Sequence, residues 1–347
     1  MSADASPARQ GPVIAPPQRV LDIGDARAAR HAHEERADRL TAGHRERRAR
    51  GEKHPIEDFL FHYYPFSPAR LRRWHPGWRT AYDAAADPVP ETAPIGDVQV
   101  GGARSWYLDA PAPSDDGPAS RGRTLRRADV ARYLAERADA LGFMARLLRA
   151  SSLRERTPNL GCFGLHEWAM VHRLAPGERR HESLPLRLGQ EGTDDVVARQ
   201  RLVCSHVDAF RFFTPAARPL NSMQPTRETQ VRRDNPACLH VGMDLYKWAM
   251  KLSPLVPSGL VLDCFEHARE TRILDMEASP YDVRPLGYGV VPIETPEGKA
   301  EYARRQRGLA VRADALRERI LQEIEAVAEI GGHAQASGRA SEPVPER

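Results

Sequence analysis

Lysine is scarce in this chain: four residues (Lys53, Lys247, Lys251 and Lys299) stand against 47 arginines. With abundant alanine and proline, that bias is what a GC-rich genome writes through its codons. Arginine number is therefore no sign of phosphate binding by itself, and placement has to decide. The net charge of +4 permits a nucleic-acid partner without demanding one. Cysteine is also sparse. Cys162, Cys204, Cys238 and Cys264 are too widely spaced for a secreted disulfide framework. No apolar run approaches the length of a membrane-spanning helix, so no membrane partner is expected. The opening MSADASPARQGPVIAPPQ lacks the apolar centre of a secretory leader, and the cytoplasm is the expected compartment.

A metalloprotease zinc helix is missing too, although GCFGLHEWAMVHR (161–173) invites the thought. H-E-x-x-H needs its second histidine four residues after the first. Four residues after His166 comes Met170, and His172 lies six residues on, about 600° around a helix axis. The plain reading of this stretch is a helix buried on most sides, its histidines hydrogen-bonded within the core.

The length suffices for one large domain. The composition of residues 1–50, with its thin apolar stripe over 26–50, predicts a disordered or loosely helical arm. A single globular body should run over 51–330, followed by a disordered tail at 331–347. The expected fold class is mainly α (α+β): a compact helical body with a few short strands or one hairpin. That hairpin is expected in DVQVGGARSWYL, turning at Gly101-Gly102, with a surface loop over 110–123. Helices are expected from Thr124 onward, over 205–213 and 242–251, from Ser258 to about Ala278, and from Thr295-Pro296-Glu297 past Ile320. Asp58–Tyr64 reads as a short helix or an extended apolar segment ended by Pro65, and a second short helix starts at Ser67-Pro68.

Residues of catalytic type gather in three blocks: 161–173, 204–213 and 238–251. The second and third share C-x-H-V, then an aspartate, a cation and aromatics. Two C-x-H pairs, Cys204/His206 and Cys238/His240, could supply four zinc ligands, but a free cysteine is more often a small buried hydrophobe. Glu167, Asp208 and Asp244 lie in strongly apolar segments, where a carboxylate is costly unless paired. Arg211 and Lys247 follow Asp208 and Asp244 by three residues, the spacing of an ion pair along a helix. Structural ion pairs are one reading. A site whose carboxylates stabilise positive charge or activate water is the other. Trp168, Phe212, Tyr246 and Trp248 are core by default but could wall a pocket for a flat, cationic ring. The loop RPLNSMQPTRETQ offers Asn221, Gln224 and Arg227 to base edges or phosphates. Arg70, Arg72 and Arg73 beside Trp74 mix cations with an aromatic, which suits phosphate contact and base stacking.

The stretches KHPIEDFLFHYYPFSPARLRRWHPG, GCFGLHEWAMVHR, CSHVDAFRFFTPAARPLN, QPTRET, CLHVGMDLYKWAMKLSPLVPS and MEASPYD resemble a family found mainly in actinobacteria and labelled 3-methyladenine DNA glycosylase. The resemblance spans about 53–307. It implies a DNA-repair hydrolase that excises alkylated bases from duplex DNA with no cofactor. Glu167, Asp208 or Asp244 would then face the developing oxocarbenium ion. The Gly-rich hairpin of helix-hairpin-helix glycosylases, with its following catalytic aspartate, is absent. The competing expectation is an iron- or zinc-dependent enzyme acting on a small molecule. It would draw on His166, His172, His206 and His240 with a carboxylate, since two histidines and one carboxylate suffice for iron. A binding or scaffolding protein is the third possibility.

Overall fold

The computed structural model describes residues 17–86, 106–112, 122–175, 177–179 and 183–339, with side chains as far as residue 330. Asp22 accepts a hydrogen bond from the Asp25 N–H at 2.8 Å and so caps the first helix, α1 (Ile23–Ala49). This helix covers most of the stretch 26–50, within the part of the chain for which a disordered or loosely helical arm was expected. Its apolar stripe is indeed thin, but ion pairs anchor it instead. Arg36 reaches Asp263 and Glu266 at 2.8 and 2.6 Å, while His44 and Arg47 converge on the buried carboxylate of Asp58.

Two short helices follow, α2 (Phe59–Tyr63) and α3 (Pro68–Leu71). Ser67 caps α3, with Pro68 in its first turn, as the sequence predicts. Among the described residues the strands are β1 (Arg19–Leu21), β2 (Thr80–Asp83), β3 (Tyr107–Pro111) and β4 (Thr124–Ala128). They form one sheet in the order β1-β2-β4-β3, with β1 parallel to β2 and the other pairs antiparallel. The Gly101-Gly102 turn lies outside the described residues. Thr124 opens a strand rather than a helix. Arg126 grips Asp109 across the ladder with two bonds of 2.8 Å. The side chain of Asp129 then accepts the Arg132 N–H and delays the helix start to α4 (Val130–Ala150). The backbone of α4 leaves helical geometry once, at Arg137.

The remaining helices are α5 (Leu165–Ala169), α6 (Gly189–Arg199), α7 (Val207–Phe210), α8 (Gln230–Arg233), α9 (Leu239–Leu252), α10 (Ser258–Glu277) and α11 (Pro296–Arg339). The fold is thus mainly α with a small mixed sheet. Thr295 caps α11 through the Gly298 N–H, and the helix continues to Arg339. Residues 340–347 lie outside the described residues.

The hairpin of α9 and α10 forms the centre, with α11 packed against it and α4 against α11; Tyr133 and Phe143 of α4 reach the C-terminal end of α9. Within α9 every side chain is buried except Lys247 and Lys251. A helix apolar all round must be enclosed on all sides, so its polar residues His240 and Asp244 are carried into the core with it. That is the step that positions the site.

One buried polar group gives the fold a pH dependence. Burial, reinforced by His33 of α1, lowers the His75 imidazole to about 3. A histidine depressed on folding binds its proton more readily in the unfolded chain, so stability falls as pH drops through 6.5 toward 3. We expect His75→Gln to flatten the acid limb of a Tm-versus-pH curve between pH 6 and 4. An unchanged slope would show that His75 stays uncharged or hydrated through the transition.

Candidate functional site

The three blocks meet in the core around a row of imidazoles. His166 sits on α5, whose start is set by Gly164 in the left-handed conformation (φ 74°). A side chain there would be strained and would crowd the Tyr302 ring at 3.3 Å. His240 is the second residue of α9, and His206 immediately precedes α7. The His166 and His240 rings are 4.6 Å apart edge to face, and His240 stacks on His206 at 5.3 Å.

Each end of the row carries a carboxylate and a cation. At one end His166 Nε2 lies 2.7 Å from Asp275 Oδ1, on α10. Arg272, one turn earlier, donates to Asp275 and, at 2.7 Å, to Glu167. At the other end His206 Nε2 is 3.4 Å from Asp244 Oδ2. Lys247 Nζ donates to the same oxygen and lies 3.7 Å from Asp208 Oδ2. The Tyr64 hydroxyl donates to Asp244 Oδ1 at 2.8 Å. Arg227 meets Asp208 Oδ1 at 2.6 Å and Arg211 Nε lies 3.6 Å from it. The helix-spaced pairs Asp208/Arg211 and Asp244/Lys247 therefore both form.

Burial and charge set the protonation states. Burial opposes charge on His166, yet the adjacent Asp275 carboxylate raises its pKa well above the usual histidine range. Burial and then the neighbouring His166 push His240 well below it. Burial opposes ionisation of Asp244, but Lys247 and His206 outweigh it and hold the carboxyl far below the ordinary range. Burial and the Asp244 charge keep the Tyr64 phenol well above its usual value. Asp208 differs in place: it is the carboxylate of the network that faces two arginines more than half exposed, Arg211 and Arg227.

Several expected contacts fall elsewhere. Trp168 and Tyr246 are wholly buried. Trp168 donates from Nε1 to the Ala278 carbonyl at 2.8 Å, so both are core residues rather than exposed pocket walls. The Asn221 amide spends itself on the Cys204 backbone, at 2.8 and 2.9 Å, and holds the second block in place. Gln224 donates to the Arg218 carbonyl. His172 leaves the row and lies 3.1 Å from Asp194 of α6. Arg72 is neutralised by Glu34 and Asp38, at 2.9 and 3.1 Å, and Arg227 is committed to Asp208. Phe212 is partly exposed, under the Arg211 guanidinium. Arg73 is half-buried.

Trp248 and Arg70 do line a cavity, of about 310 Å³. Trp106, Tyr133 and Phe143 complete its aromatic wall, and Arg137 and Lys251 add cations. Lys247 lies over the Trp248 ring at 4.3 Å, so this wall adjoins the Asp244–Lys247–Asp208 end of the network. Burial and then Lys247 lower the pKa of Lys251.

Asp275 and Arg272 escaped the sequence reading, although ETRILDMEA offers the same signal as Glu167: charge inside an apolar helix. Trp106 and Arg137 carry no such signal, because only the α4–α9 packing brings them beside Trp248. Comparison with protein-family models, curated proteins and solved structures returns no match. The reading of the site therefore rests on its geometry and on the motif resemblance.

Proposed function

We propose that the protein is a base-excision glycosylase that accepts a flipped, alkylated nucleotide from duplex DNA. What supports this is the cavity between α4 and α9: aromatic rings for a base, Arg70, Arg137 and Lys251 for flanking phosphates, and Lys247, which lies over the Trp248 ring of the wall and 3.7 Å from Asp208 Oδ2. Its volume lies within the range of small-molecule sites. Alkylation at N3 makes adenine a cationic leaving group, so the glycosidic bond breaks with its electron pair going to the ring. Water then adds at C1′ and gives up a proton. Asp208 is assigned to stabilise the oxocarbenium ion and take that proton. Asp244 is less suited, since its partners Tyr64, His206 and Lys247 shut it into the interior, whereas Asp208 is held by Arg211 and Arg227, both more than half exposed.

The test is release of 3-methyladenine from methylated duplex. Asp208→Asn should lower the rate by about 10²–10⁴-fold while leaving DNA affinity and its salt dependence in place. A melting curve must show the variant folded, because removing one partner of a buried ion pair can be destabilising. Wild-type protein that releases no base, and whose DNA binding ignores salt, would overturn the proposal.

A further inference from the structure

The geometry points to a divalent transition-metal site formed by His166, His240 and Asp275, binding zinc(II) or iron(II) and tying α5, α9 and α10 together. One donor atom from each residue lies within 4.8 Å of the other two, and all three side chains are buried. Donors around a metal with bonds of about 2.0–2.2 Å sit roughly 3–3.5 Å apart. Small rotamer adjustments would therefore complete the set, with the ion entering between His166 Nε2 and Asp275 Oδ1, now 2.7 Å apart.

The outer contacts are those a ligand shell needs. Cys162 Sγ lies 3.7 Å from His166 Nδ1 and so turns Nε2 toward Asp275. Arg272 holds the other oxygen of Asp275, leaving Oδ1 facing the imidazole. Among the described residues His240 Nδ1 is buried without a hydrogen-bond partner, a condition it shares with Nδ1 of His75, His172, His206 and His267, and so no protein contact has to be broken at that atom. Two imidazoles and one carboxylate favour zinc or iron over magnesium or calcium, which prefer oxygen.

A second cluster, His206, Asp208 and Asp244, has comparable spacing. There the Lys247 ammonium already lies between the two carboxylates, at the place a cation would take. In the first cluster only the proton shared by His166 Nε2 and Asp275 Oδ1 lies between the donors, and metal binding would release it to solvent, while Arg272 approaches Asp275 from the outer oxygen. The site lies apart from Asp208 and its role is to fix the three elements, so it stands or falls independently of base release.

Full-length protein, treated with chelator and dialysed, is titrated with cobalt(II). We expect visible d–d absorption that saturates at one equivalent per chain, displaced by zinc(II), with a higher Tm in the zinc form. His240→Ala and Asp275→Asn should each weaken cobalt binding by about 100-fold or more. His206→Gln should leave it unchanged. If either of the first two variants fails to fold, X-ray absorption of zinc-loaded wild type decides, with scattering from two imidazoles expected. No saturable binding, imidazole-free scattering, or binding that survives His240→Ala but is lost in His206→Gln would overturn the assignment.

Discussion

Replacing Arg272 by alanine is expected to destabilise the fold by about 3–5 kcal/mol, the cost of stripping one partner from a buried ion network. Arg272 is almost wholly buried. Its Nη1 serves both Glu167 and Asp275, and its guanidinium lies 3.9 Å above the Phe59 ring. Without it, Glu167 loses its cation inside the protein, and Asp275 keeps only His166. Chemical denaturation measures the loss. Adding Glu167→Gln to the variant should recover part of it, because a neutral amide no longer demands a cation. A cost under about 1 kcal/mol would mean that water reaches these carboxylates and that the network is looser than its distances imply.

Trp168→Ala should cost a similar amount, about 3–5 kcal/mol, through the cavity left behind. The Ala278 carbonyl would also lose its donor. The contrast with Trp248 is the informative part. Trp168 is enclosed on all sides, so any loss of base release in its variant should parallel the loss of folded protein. Trp248 lines the cavity, and under the proposed glycosylase function Trp248→Ala should raise the KM for methylated duplex beyond what its change in Tm explains. The idea fails if Trp168→Ala remains as stable as wild type, or if Trp248→Ala leaves KM unaltered in folded protein.

These two tryptophans show how far residue type carries an argument. Both lie within apolar runs beside a carboxylate or a lysine, and the sequence treats them alike. Which one is sealed in depends on neighbours contributed by distant segments: Arg187 and Ala278 for Trp168, Phe143 for Trp248. The arginines teach the same lesson. Arg72 reads as a phosphate contact until Glu34 and Asp38 of α1 are brought against it. Arg70 carries the same reading and lines the cavity.

Local features were legible in the sequence because their causes are local. Ser67-Pro68 and Thr295-Pro296 start helices through a cap and a preset backbone angle, both supplied within a few residues. The apolar character of 242–251 marks a helix, and α9 covers it. The polar residues within such segments could be named in advance as costly: Glu167, Asp208, Asp244, His206 and His240. Where local rules compete, they mislead. Residues 124–128 fit a helical continuation, and a strand forms because β2 and β3 offer backbone partners on both sides. Only the tertiary structure decided the partners themselves. Asp275 reaches His166 across 109 residues, and Tyr64 reaches Asp244 across 180. Such pairings are fixed by how α5, α9 and α10 close around one core. Along a chain the cost of a buried charge is visible, but the group that offsets it becomes known only when the helices meet.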